Sequence, residues 1–128
     1  MGRTLSFLLL ASSFAAGAAA SALDGKTFQG EILDDKGVVR ARDVMAFKEG
    51  KFYSATCAQF GFSEMPYWTR IEGDTIHFLV EAANPENGRM AFKGTVRGEQ
   101  AEWKGSWIKE RWYWSIRREI GFRGITKK

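Results

Sequence analysis

The chain has 128 residues, 45% hydrophobic and 14% aromatic, with a formal net charge of +4 and a pI near 9.4. Five tryptophans and ten phenylalanines exclude a disordered polypeptide, and a chain this short has room for one core but not two. The modest positive charge predicts a weak preference for anionic surfaces such as phospholipid headgroups or acidic polysaccharide; no nucleic-acid motif accompanies it.

Residues 1–22 read as an export signal. Arg3 supplies a positive start, residues 5–10 a short apolar run, and Ala20-Ser21-Ala22 an A-x-A ending whose small side chains fit a signal peptidase. The apolar run falls well short of the roughly 20 residues that span a bilayer, and Ser12-Ser13 interrupt it. Cleavage after Ala22 leaves a single domain over residues 23–128, with no further membrane-spanning segment and a periplasmic or secreted location. Leu23-Asp24 stand at the cleavage point where a lipoprotein carries its acylated cysteine. Cys57 is the only cysteine, so no intramolecular disulfide forms and core packing must stabilise the domain.

From there the pattern is strand after strand. The first strand, near 26–33, points Phe28, Gly30 and Ile32 inward. Asp34-Asp35-Lys36-Gly37 is a turn, and a longer strand follows over about 38–48. Glu49-Gly50 then makes a tight hairpin that sets Phe47 opposite Phe52, since glycine tolerates the positive φ that such loops demand. Residues 57–65 break the period at Gly61 and stop before Pro66, and read as the longest loop. A turn at Gly73-Asp74 puts Ile71 opposite Ile76 and Tyr67 opposite Val80. Along the next strand Ile76, Phe78, Val80 and Ala82 face in, with Thr75, His77 and Glu81 facing out. Gly98-Glu99 pairs Val96 with Ala101, Gly94 with Trp103 and Phe92 with Gly105. A last turn at Lys109-Glu110 would set Trp107 opposite Trp112 and Gly105 opposite Trp114. No stretch of the mature chain carries a helical period.

The result is an all-β chain, a single up-and-down antiparallel meander of roughly eight strands. An open sheet of this kind leaves its apolar face wet and its edges unpaired, so closure into a small barrel is expected, with a two-sheet sandwich as the alternative. The chain resembles the small exported lipocalin-like (calycin-type) β-barrels over most of its mature length. The resemblance rests on the Leu23-Asp24-Gly25-Lys26-Thr27-Phe28 opening, the glycine-turned meander and the aromatic closing stretch Trp112-Tyr113-Trp114. It is architectural, because Gly25 is followed by Lys-Thr-Phe where lipocalins carry G-x-W.

Three groups of residues are candidates for function. With the turn at Lys109-Glu110, Trp103, Trp107, Trp112 and Trp114 share one face of two adjacent strands, with Gly94 and Gly105 among them. They make either an aromatic-walled pocket for a small apolar ligand or rings that fill the barrel. Phe60, Phe62 and Tyr67 are placed as a hydrophobic lid at the mouth. Arg89, Lys93 and Arg97 line the outer face of one strand with Lys104 opposite Lys93, an anion-contacting stripe diluted by Glu99 and Glu102. Cys57 and His77 supply a thiol and an imidazole, but parity turns His77 outward and no motif joins the two. One histidine and one cysteine provide no metal-ligand pattern, and no cofactor motif is present.

The expected function is therefore an exported, non-enzymatic binding protein that holds a small apolar or aromatic ligand at an aromatic-lined barrel. The alternative is an envelope protein–protein interaction or hydrolase-inhibitor module with a filled barrel. A cysteine-dependent enzyme is the remote alternative.

Overall fold

The computed structural model describes residues 22–127; apart from Ala22, the export signal expected over 1–22 lies outside the described residues. Eight strands follow one another in space as they do in sequence and close into an antiparallel up-and-down barrel. They are β1 (Thr27–Leu33), β2 (Val39–Lys48), β3 (Lys51–Ser54), β4 (Met65–Glu72), β5 (Thr75–Asn84), β6 (Gly88–Arg97), β7 (Gln100–Arg111) and β8 (Trp114–Thr126), with the short helix α1 (Ala55–Gln59) between β3 and β4.

Three of the glycine turns fall where alternation puts them. Phe47 faces Phe52, Ile71 faces Ile76, Tyr67 faces Val80, and Gly94 faces Trp103. At the first of these turns both Glu49 and Gly50 take positive φ (53° and 77°), which matches the twist of the flanking strands.

The fourth turn lies elsewhere. β7 runs on to Arg111, which faces Trp114, so Trp112-Tyr113 is the loop. Trp107 therefore pairs with Arg118, and Gly105 with Ile120. The physical reason is visible in the backbone: no residue of this loop has positive φ. A hairpin loop built without glycine leaves no glycine signal in the sequence.

The segment 57–65 also differs from a plain loop. Ser54 caps a single helical turn, its hydroxyl accepting the Cys57 N–H at 3.2 Å. Gly61, at φ 90°, ends it in a Schellman arrangement: Phe62 N–H donates to the Cys57 carbonyl and Gly61 N–H to that of Ala58, both at 3.0 Å. One turn is too short to show a helical period.

The interior is a continuous stack of rings. Phe47 touches Phe28, Phe52, Tyr67 and Phe78 with centroids 4.8–6.3 Å apart. Phe52 continues to Phe92, and Phe92 stacks on Trp103 at 4.2 Å. Each such pair adds about 1 kcal/mol beyond the area it buries. All of these rings are essentially inaccessible to solvent. Inward glycines make the space. A Cβ on Gly94 would lie 2.5 Å from Phe78 Cζ and 2.6 Å from Trp103 Cβ. At the β1–β8 seam, a Cβ on Gly30 would lie 2.0 Å from the Arg123 carbonyl oxygen.

Both ends are stoppered. At the end where the chain enters, Leu23 is fully buried, and Asp24 accepts the Gly50 N–H at 3.1 Å and the Tyr67 hydroxyl. At the other end the α1 segment folds over the opening. Phe62 is buried, and Phe60 lies 5.3 Å from Trp107, whose Nε1 donates to the Asn87 carbonyl at 2.7 Å.

Candidate functional site

The four tryptophans expected on one wall are dispersed by the observed turn. Trp103 is inside the barrel, stacked between Phe92 and Phe122. Trp107 is part of the stopper. Trp114 is half-buried on a projecting ribbon, and Trp112, 94% exposed, is at that ribbon's tip. The expected lid of Phe60, Phe62 and Tyr67 separates as well. Phe60 and Phe62 belong to the stopper, whereas Tyr67 is a core ring whose hydroxyl is held by Asp24. Burial and the Asp24 carboxylate both push the Tyr67 hydroxyl pKa upward.

The basic stripe stands on the outer wall as parity requires, with Lys93 directly opposite Lys104. Two of its members are compensated: Arg89 pairs with Glu110 at 3.0 Å, and Arg97 with Asp74 at 3.6 Å. A depression of about 680 Å³ is found nearby, lined by outward residues of β5–β8 that include His77, Thr95, Glu102 and Arg123. Several of its charged side chains are also engaged. His77 Nε2 lies 3.0 Å from Glu72, and Arg123 bridges to Glu31 at 3.2 Å.

Cys57 is buried on α1, and His77 is on the outer wall, occupied by Glu72. Burial pushes the thiol up to about 11, against a smaller downward pull from the Ser54 hydroxyl and with a still smaller upward push from Asp43. A thiol so placed is protonated at neutral pH and is a poor nucleophile. Asp43 itself is buried. It accepts the Ser54 hydroxyl and the Thr56 N–H (3.2 Å), which fixes the cap of α1.

The feature that alternation did not disclose is the length of the last hairpin. β6 stays beside β7 only as far as Ile108, which faces Arg89. β1 stays beside β8 only from Gly121 onward, where Leu33 ends it. Residues 109–116 therefore project beyond both neighbouring strands as a two-stranded ribbon with rungs Lys109–Ile116, Glu110–Ser115 and Arg111–Trp114, and residues 117–120 at its foot form a free edge of β8. Trp107 ties the base of the ribbon to Asn87, and Arg111, on the last rung before the tip, donates to the Glu86 carbonyl at 3.1 Å. At its tip Trp112 and Tyr113 pack edge to face, 4.9 Å apart, with Tyr113 65% exposed. Two neighbouring large aromatics held in water at a hairpin tip are unusual for a surface that serves only solubility.

No protein-family model, curated protein or solved structure matches the chain.

Proposed function

We propose that this chain is an exported, non-enzymatic docking module, akin to the lipocalin-like barrels, in which a filled barrel carries the β7–β8 ribbon as its contact element. The observation that carries this reading is the projection of Trp112 and Tyr113 beyond every neighbouring strand. Association energy concentrates in a few Trp, Tyr and Arg side chains, and the ribbon gathers these types on one short element. The solid interior favours the filled-barrel alternative over a small apolar ligand, because rings already occupy the space a ligand would take. A buried, protonated Cys57 remote in role from His77 favours binding over catalysis.

The test places a photo-crosslinkable phenylalanine analogue at position 112 and, separately, at position 93 on the barrel wall, and exposes each to envelope fractions. Adducts, to protein or lipid, are expected from position 112 and not from position 93. Equal labelling from both positions would sink the reading. So would a small apolar compound that raises the melting temperature by several degrees, because that requires an interior site.

A further inference from the structure

The two faces of the ribbon are not alike. One face carries Glu110, Ser115, Arg117 and Glu119, and its charges cancel: Glu110 pairs with Arg89 at 3.0 Å and Arg117 with Glu119 at 2.6 Å. The other face carries Lys109 and Arg111 from β7 and Trp114, Ile116 and Arg118 from β8, by the observed rungs. Among the described residues none of its three cations meets a carboxylate. Arg111 donates to the carbonyls of Glu110 and Glu86, Arg118 to that of Arg117 at 3.3 Å, and Lys109 makes no such contact. Three unneutralised cations thus flank Trp114 and Ile116 on one face, directly behind an exposed Trp112-Tyr113 tip.

That arrangement matches the interface of an anionic bilayer layer by layer. Trp and Tyr have an apolar ring body and a polar edge, which places them at the depth of the headgroups. Lysine and arginine stems run along apolar surface while their charges reach the phosphates. From these observations we propose that the ribbon anchors the protein on an anionic lipid surface, with Trp112 and Tyr113 in the headgroup layer and Lys109, Arg111 and Arg118 on lipid phosphates. This rests on the docking reading above and names its target. A bilayer suits the site better than an acidic polypeptide for two reasons. The tip is convex and needs a soft receiving surface, whereas a protein anchor ring is received by a pocket. The free edge of β8, where a peptide strand would pair, carries Arg117 and Arg118, side chains of the type that guards strand edges from pairing.

The experiment is co-sedimentation of the mature chain, residues 23–128, with phosphatidylcholine vesicles and with vesicles containing roughly one-third phosphatidylglycerol, with tryptophan emission recorded. Each variant is checked by its melting temperature. Binding is expected on the anionic vesicles, with a blue shift, and is expected to weaken in high salt. A single cation near such a surface is worth roughly five-fold in partition, so the triple variant Lys109→Gln/Arg111→Gln/Arg118→Gln should bind roughly 100-fold more weakly. Trp112→Ala/Tyr113→Ala should bind at least about ten-fold more weakly and lose the blue shift. Lys93→Gln/Lys104→Gln removes two cations from the barrel wall and should change partition little. Equal binding to both vesicle types overturns the inference, as does a wall variant as damaging as the ribbon triple. If vesicles fail but polyglutamate shifts the emission in a Trp112-dependent way, the lipid target is wrong and the docking reading survives. If neither touches the ribbon, both fall.

Discussion

Gly94 and Thr69 show how tightly single residues are constrained inside this barrel. A Cβ on Gly94 meets the Glu102 carbonyl oxygen at 2.3 Å, and that atom belongs to the backbone and cannot step aside. Gly94→Ala should therefore destabilise by about 3 kcal/mol or more, measured by chemical denaturation; a loss below about 0.5 kcal/mol would mean the seam relaxes freely. Thr69 lies on the same lateral row, facing Phe78, and its buried hydroxyl has no hydrogen-bond partner among the described residues. Thr69→Val keeps the shape and removes that desolvated group, so it should stabilise by about 1 kcal/mol, seen as a raised melting temperature. Cys57 adds a pH-dependent contribution. Its folded pKa is raised from 9.0 to about 11, so the neutral thiol is the form the fold favours. That contribution is complete below pH 9 and is lost as pH climbs to 11, a change of about 2–3 kcal/mol. The stability gap between the natural chain and Cys57→Ala should shrink by that order between pH 8 and pH 11; a constant gap would contradict the buried placement.

Among the elements, the glycine-turned hairpins were legible in the sequence and the last one was not. At Glu49-Gly50 and Gly98-Glu99 the positive φ of the turn demands the residue that marks it. Trp112-Tyr113 makes its loop without positive φ, so like-with-like pairing of tryptophans pointed to Lys109-Glu110 instead. Inward parity survived that error for Trp103 and Trp107, since alternation is local, whereas the neighbours across β7 and β8 did not. The ribbon was hidden for a second reason. Its projection depends on where β1 and β6 stop, and this is a property of neighbouring strands and not of its own residues. α1 escaped notice because it is a single turn, although its cap, Ser54, and its terminator, Gly61, are both visible once the helix is known. Ser54→Ala removes that cap and leaves Asp43 buried with one donor fewer. A loss of about 1–2 kcal/mol should follow in thermal or denaturant melts, whereas an unchanged melt would detach the cap from stability. Trp112→Ala/Tyr113→Ala should by contrast leave stability within about 0.5 kcal/mol, because both rings are already in water in the folded chain.

Taken as one body, the molecule divides its aromatics by task. Phe28, Phe47, Phe52, Phe78, Phe92, Trp103 and Phe122 fill a closed barrel that has no disulfide, and Leu23 at one end with Phe62 at the other keeps water out. Trp112 and Tyr113 contribute nothing to that core and stand on the element that, among the described residues, projects from it. Composition alone had announced an aromatic-rich small domain, but not which rings were structural. That distinction needs the closure of eight strands and the true register of the last two. On the proposed reading the barrel supports and the ribbon binds, and amide hydrogen exchange with and without anionic vesicles distinguishes the two. Slower exchange is predicted for residues 109–120, with the amides of β4–β6 unchanged. Slower exchange in β4–β6 with the ribbon unaffected would contradict the claim and return the binding site to the barrel.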